Sequence, residues 1–392
     1  MGSSVLEASF DAQQASVHAD TRLDALYVLN ALSVGGSEHK IVRLVNRLNE
    51  RGIAAGIAYL NGPDTLESKL HRSVRRWHLE RKGKFSFRAL NRLVDVVLDV
   101  KPRVVFAVNL YPTLYVLGMR MRLADAAPEI AALVNTSEFP AGERWRKLLY
   151  ERVLRRFDRV IYGCQAQRDL WLDRRSRAWA RSSVVYNGVD LKEFNAKVRR
   201  IDAGARKRPF VIGNVGRLTP EKNQRVLIDA LVSLRREGID AKLLLVGEGP
   251  LRRALTVHAR ERGVEDAVEI TGALADVRPA LERMDVFLLP STHIETFSNA
   301  ALEAMAMGRP VVLSDIGGAR EMIRDGIDGF VVPRSELESR LPTLLRELAS
   351  DADRCSRLGE AARRRVESSF SFDRMVDRYV ELIERVEHGQ AG

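Results

Sequence analysis

The segment Pro290–Met307, PSTHIETFSNAALEAMAM, holds two glutamates, Glu295 and Glu303, with seven residues between them. Ser298 and Asn299 are both good N-caps, so a helix is expected to start there. Glu295 then lies in the loop before the helix and Glu303 about one turn inside it. A helix N-terminus offers unpaired N–H groups and a positive dipole end, a seat for a diphosphate. An ionised carboxylate only accepts hydrogen bonds and can hold two adjacent hydroxyls of a ribose or a sugar ring. Taken singly, each glutamate fits a solvated loop or helix position equally well. Arg217 and Lys222 follow a different strand and, five residues apart, could reach one phosphate cluster. Hydrogen bonds to charged groups contribute about 1.5–3 kcal/mol net each, so two cations would offset much of a diphosphate's charge. Surface charge beside a helix start is the plainer account. A lysine there opposes the dipole, however, which points to function rather than stability.

Two further sets of residues have the types that bind anions. Gly35 and Gly36 follow the first strand and precede a helix near Glu38, where glycine lets backbone approach a ligand, although a plain tight turn would also use them. The stretch Lys69–Arg92 carries Arg72, Arg75, Arg76, Arg81, Lys82, Lys84, Arg88 and Arg92 with Trp77, Phe85 and Phe87. One reading is an anionic acceptor or membrane surface, each cation contributing about 1 kcal/mol. The other is a set of solvated helix and loop charges, and the balance favours it. Arg144, Arg146, Lys147, Arg152, Arg155 and Arg156 pose the same choice on an amphipathic segment.

The elements that must position these residues alternate along the chain. Short Val/Ile/Leu-rich runs precede amphipathic stretches of about a dozen residues, the pattern of buried parallel strands with helices on both faces. Strands are expected at Leu23–Asn30, Ile53–Leu60, Arg103–Asn109, Ile130–Asn135, Asp158–Tyr162 and Ser183–Tyr186. The rhythm restarts at Phe210–Val215, Lys242–Val246, Val268–Thr271, Val286–Leu289, Val311–Leu313 and Phe330–Val332. Three consecutive helices end the chain. This is an α/β chain with two doubly wound, Rossmann-like parallel-sheet domains. The expected limits are 21–190 for the first domain, 191–208 for a polar basic linker, and 209–370 for the second. Residues 1–20 are expected to be poorly ordered or peripheral, and the last helix lies within 371–392. In such sheets ligands sit beyond the carboxyl ends of strands, so a cleft between the domains would be served by both sets of loops.

The run Glu295–Pro310, ETFSNAALEAMAMGRP, continued by Ser314, Asp315, Gly317, Gly318 and Glu321, resembles the core of the family 4 (GT4) retaining glycosyltransferases. Gly35-Gly36-Ser37-Glu38, Asn187-Gly188-Val189-Asp190, Gly216-Arg217-Leu218 and Glu221-Lys222-Asn223 extend the likeness over nearly the whole chain. The resemblance implies the GT-B architecture, with the nucleotide sugar bound mainly by the second domain and the C-terminal helix within 371–392 crossing back to the first domain. It implies that Arg217 and Lys222 bind the donor pyrophosphate and stabilise it as leaving group, and that Glu295 contacts donor-sugar hydroxyls. Glu303 would hold the ribose, and N–H groups around Ser298, Asn299 and Ala300 would meet sugar and phosphate. Gly35, Gly36, Gly216 and Gly247 would line the donor. Many relatives carry glycine at Ser298 and a histidine in the neighbourhood of Asn135–Glu138. Glu138 could replace that histidine as acceptor-side acid or base, with Lys82 and Arg88 on the same side. The resemblance also implies front-face attack; the sequence leaves a covalent intermediate open.

Composition sets the outer limits. The chain has 392 residues, 45% hydrophobic and 29% charged, which excludes wholesale disorder. Cys164 and Cys355 are too few for a disulfide framework or a cysteine-based zinc site. No signal-peptide core is seen in residues 1–20, and no run reaches the roughly 20 apolar residues of a spanning helix. A cytoplasmic enzyme is expected, with contact to the inner membrane face as an option for its basic half. Residues 1–200 hold 34 Lys+Arg against 21 Asp+Glu, and the remainder 29 against 31. The expected activity is metal-independent transfer of a hexose from a nucleoside-diphosphate sugar, UDP ahead of GDP, to a saccharide or lipid-linked acceptor, with no cofactor. A nucleotide-sugar 2-epimerase of the same fold is the second reading. A basic nucleic-acid binder is the third, disfavoured because 6% aromatics are too few to argue base stacking.

Overall fold

A computed structural model describes residues 22–33, 35–83, 85–135, 144–195, 208–293 and 295–385. By their contacts they fall into two compact units. The first comprises residues up to Val134, Trp145–Ile161 and Tyr379 onward; the second comprises Asn135–Arg144 and Tyr162–Arg378. Residues 162–190, expected in the first domain, therefore group with the second unit.

Seven parallel strands form the sheet of the first half: β1 (Ala25–Ala31), β2 (Ala55–Asn61), β3 (Arg76–His78), β4 (Val104–Val108), β5 (Glu129–Val134), β6 (Arg159–Tyr162) and β7 (Ser182–Val184). Their order is β3-β2-β1-β4-β5-β6-β7. Between them run α1 (Gly36–Glu50), α2 (Phe87–Val100), α3 (Leu110–Leu123), α4 (Arg144–Leu154), α5 (Gln165–Trp171) and α6 (Arg177–Ala180).

The second sheet has six strands: β8 (Phe210–Val215), β9 (Ala241–Val246), β10 (Val268–Gly272), β11 (Val286–Leu289), β12 (Val311–Ser314) and β13 (Phe330–Val332), in the order β10-β9-β8-β11-β12-β13. Its helices are α7 (Arg225–Arg236), α8 (Arg252–Glu261), α9 (Arg278–Arg283), α10 (Asn299–Ala306), α11 (Ala319–Met322), α12 (Leu337–Ser350) and α13 (Ala352–Ser369). The strands read as continuous apolar runs because both faces are covered. Val286 and Leu288 of β11 join one core with Leu227 and Leu231 of α7 and Leu341 and Leu345 of α12. Phe287 and Leu289 point the other way, into a core with Leu302 and Met305 of α10 and Ala362 and Val366 of α13.

In both sheets the order reverses once, between β1 and β4 and between β8 and β11. At such a reversal the outgoing loops of adjacent strands diverge to opposite faces and leave a crevice at the strands' carboxyl ends. The last helix, α14 (Phe372–Glu384), begins in the second unit and ends in the first. There the fully buried Tyr379 packs edge-on against Tyr27 of β1 and Phe106 of β4, with centroids 6.5 and 6.1 Å away. Among the described residues no helix is long and apolar enough to cross a membrane.

Candidate active site

The second sheet's reversal point positions the residues singled out above. Arg217 and Lys222 lie in the loop after β8, and Glu295 lies in the loop after β11, the two strands between which the order turns. The two loops are joined by backbone, the Thr292 N–H donating to the Glu221 carbonyl at 2.9 Å. Arg334 ties the second loop from outside, donating to the Thr292 carbonyl at 2.7 Å. With the loops so fixed, the Lys222 ammonium forms an ion pair with the Glu295 carboxylate, which also accepts from the Ser291 hydroxyl at 3.3 Å. Both side chains are largely desolvated, 19% and 18% exposed. Their mutual attraction is therefore little screened, and removing either partner strands the other.

Arg217 differs. Its side chain is 80% exposed and stands 3.6 Å from the Glu221 carboxylate. Burial works against charge on Glu221, but its own backbone N–H and the cations Arg217 and Lys222 outweigh that and hold its carboxyl below the usual range. The arginine's backbone is held more firmly than its guanidinium. The buried Gln224 amide donates to the Arg217 carbonyl at 2.8 Å, and Asn214 donates to the Leu288 carbonyl at 2.7 Å, fastening β8 to β11 beneath the loop. Sequence reasoning missed both amides, since a buried Asn or Gln looks like any polar residue until its partners are known.

Helix α10 starts where the N-cap preference placed it. The buried Ser298 hydroxyl accepts from the Ala301 N–H at 3.2 Å, satisfying one of the first-turn donors. Asn299 and Ala300, half-buried, supply the preceding two N–H groups, which have no acceptor within the helix. Glu303, also half-buried, lies four residues after Asn299 and so on the same helix face. The loops beneath are packed too closely for side chains at two glycines. Gly247 has φ +148°, and a Cβ there would lie 1.9 Å from the Gly216 carbonyl oxygen; Gly317 has φ +54°, and one there would lie 2.1 Å from that of Glu295. Glu321 has a structural role, accepting from the N–H groups of Gln165 and Ala166 at 2.7 Å and from the Tyr186 hydroxyl at 2.8 Å.

In the first unit Gly35 is the extended N-cap of α1, and Gly36 is its first residue. Burial raises the Glu38 carboxyl pKa, while Lys40 in the same turn is pushed down to about 8, also by burial. Asn109, after β4, takes φ +69° without being glycine, a conformation that costs about 1–3 kcal/mol and that no feature of the sequence announces. Lys82 and Arg88 are exposed. Glu138 lies outside the described residues. The structure thus brings Lys222 to Glu295, Gly216 to Gly247, and Ser298, Asn299, Ala300 and Glu303 onto one helix.

Such a site can hold an anion between a cation and helix N–H groups, with carboxylates to accept from hydroxyls. A family model described as Glycosyltransferase Family 4 matches residues 34–193, and one described as Glycosyl transferases group 1 matches residues 209–351. An amylovoran biosynthesis glycosyltransferase of Erwinia amylovora is 30% identical over 211 residues, 52% of this chain and 51% of its own length. A GDP-mannose-dependent α-(1-6)-phosphatidylinositol monomannoside mannosyltransferase of Mycobacterium tuberculosis is 34% identical over 185 residues, 45% of this chain and 48% of its own. The chain thus spans about half the length of the curated relatives it matches. The crystal structure of HepE from Anabaena with UDP superposes with a TM-score of 0.78 at 20% identity, covering 92% of this chain and 99% of that one, a likeness of fold. With glycosyltransferase models matched in succession along most of its length and the paired parallel sheets of GT-B, the chain belongs to the family 4 glycosyltransferases.

Proposed function

We propose that the chain is a retaining glycosyltransferase that moves a hexose from a nucleoside-diphosphate sugar, UDP ahead of GDP, to a saccharide or lipid-linked acceptor. The observation that carries this reading is the Lys222–Glu295 pair at the reversal point of the second sheet. Without donor, the carboxylate neutralises the ammonium. A donor diphosphate takes over that role, and Glu295 turns to the sugar hydroxyls. As the bond from the anomeric carbon to the phosphate oxygen breaks, the electron pair stays on phosphate. Lys222, Arg217 and the first-turn N–H groups of α10 meet that charge, the kind of preorganised electrostatics that dominates many enzymes. The acceptor hydroxyl attacks from the same face and gives its proton to the departing phosphate, which retains the anomeric configuration. Positive charge comes from side chains, so chelation is expected to leave turnover unchanged. The amylovoran and mannoside relatives support saccharide and lipid-linked acceptors, and the mannosyltransferase makes GDP-sugars the second donor class to test.

The test is nucleoside-diphosphate release by Arg217→Ala and Lys222→Ala. Each is expected to lose about 10²–10³-fold in turnover, as when one oxyanion donor is removed. Lys222→Ala should also lose more stability than Arg217→Ala, because Lys222 is itself desolvated against Glu295. Arg217, by contrast, is 80% exposed, and Glu221 keeps its own backbone N–H and Lys222. Turnover close to wild type in both would remove the reading. UDP- and GDP-sugars are separated by thermal shift, where a ligand at 100 times its Kd adds about 2.7 kcal/mol.

A further inference from the structure

Two buried serines lead to the Lys222–Glu295 pair. Ser291 follows β11 by two residues, and Ser314 ends β12, the strand beside it, where Leu289 pairs with Leu313. They are 0% and 1% exposed, at the edge of a core that Leu289 and Leu313 share with Leu302 and Met305 of α10. A hydroxyl shut away from water costs free energy unless it finds an acceptor. The Ser314 hydroxyl donates to the Ser291 carbonyl at 2.5 Å, and the Ser291 hydroxyl donates to the Glu295 carboxylate at 3.3 Å. One line of bonds thus runs from the end of β12 to the carboxylate.

The two oxygens of that carboxylate are not equivalent. Lys222 and Ser291 both act on Oε2, whereas Oε1 receives no hydrogen bond from any described residue. One oxygen is anchored, and the other keeps its capacity to accept from a ligand hydroxyl. The backbone behind them is fixed as well. A Cβ on Gly317 would lie 2.1 Å from the Glu295 carbonyl oxygen, and the Gly318 N–H donates to the Thr296 carbonyl at 2.8 Å. What remains variable is the glutamate side chain, and its two tethers differ in kind. Lys222 is a cation for which a diphosphate competes. Ser291 is a neutral, buried donor for which it does not.

We propose that Ser291 is a positioning residue for transfer: its hydroxyl keeps hold of Oε2 when Lys222 turns to the donor diphosphate, so that Oε1 meets a hydroxyl of the donor sugar. Ser314 acts one step further back, by fixing the Ser291 carbonyl. The proposal rests on the transferase reading and deepens it. Without the Ser291 bond, the carboxylate would follow the cation or lose its order as the sugar arrives, and the entropy of ordering it would weaken binding of the sugar. A site that bonds a hydroxyl rejects sugars lacking it, so the same bond sharpens the choice of donor sugar.

Isothermal titration compares wild type, Ser291→Ala and Ser314→Ala with UDP, GDP, UDP-glucose, UDP-galactose and GDP-mannose. For the nucleotide sugar that wild type holds most tightly, Ser291→Ala is expected to lose about tenfold or more in affinity, the scale of one hydrogen bond to a charged group. Its affinity for the corresponding nucleoside diphosphate, which has no sugar for Glu295 to meet, should be unchanged. A general disturbance of the loop would weaken both ligands together; that result, or no loss for either, would overturn the proposal and leave the transferase reading standing. Should Ser291→Ala not fold, Ser314→Ala takes its place, since it frees the Ser291 carbonyl and leaves the side chains of the donor loop intact. The same selective loss is expected there. Wild type that binds none of these ligands would remove the transferase reading itself, and the role of Ser291 with it.

Discussion

Lys222 and Glu295 were legible as candidates from type and spacing, but not as partners. Seventy-odd positions separate them, and only the reversal of strand order brings their loops together. Gln224 and Asn214, which hold the Arg217 loop from below, carried no signal because a buried amide is defined by partners rather than by neighbours in sequence. Lys40 belongs to the same category. Burial depresses its pKa from 10.5 to about 8. The folded protein therefore holds this proton more weakly than the unfolded chain, and folding releases it between pH 8 and 10.5. The destabilisation is fully present below pH 8 and fades as pH rises towards 10.5. Lys40→Met is accordingly expected to be more stable than wild type at neutral pH, with the difference shrinking across that window. Urea denaturation of both proteins through the same pH range measures it, and a constant difference would contradict the assignment.

At the scale of elements, the buried strands were readable because each is sheathed on both faces and must be apolar throughout. β3 was not, for the opposite reason. Arg76, Trp77 and His78 form a three-residue strand at the sheet's margin, half-buried to exposed, and pair only with β2. The helix start at Ser298 was readable because the cap is a local interaction between a hydroxyl and an N–H three residues on. Gly247 could be noticed in the sequence but its necessity could not, since that depends on the Gly216 carbonyl arriving from a neighbouring strand. Gly247→Ala combines a positive φ with a collision against backbone. It should cost more than the ~1 kcal/mol of an unstrained glycine replacement, and it should displace the Arg217 loop. A lower melting temperature together with weaker nucleotide-sugar binding is the expected result; an unchanged protein would show that the loop has room to move.

For the whole molecule, composition placed a boundary at the polar stretch 191–208; residues 162–190 before it carry β7 of the first sheet yet cluster by contact with the second unit. The difference is physical. Glu321 clasps Gln165, Ala166 and Tyr186, and Asn187 donates to the Phe297 carbonyl at 2.8 Å, long-range bonds that no compositional shift records. The passage of α14 into the first unit was legible by family resemblance. Its anchor, Tyr379, can be tested directly. Truncating a fully buried aromatic costs about 3–5 kcal/mol, so Tyr379→Ala should speed hydrogen exchange in β1 and β4 while leaving β8 and β11 protected. Equal loosening of both sheets, or of neither, would show that the ring does not serve the first sheet in particular.

That anchor also has a bearing on biosynthesis. A ribosome delivers β1 and β4 well before Tyr379, so Tyr27 and Phe106 emerge long before the ring that covers them. Domains usually mature in the order they are translated; here the unit made first is sealed only after the second unit has followed it out, and until then the nascent polypeptide carries an uncovered aromatic seam.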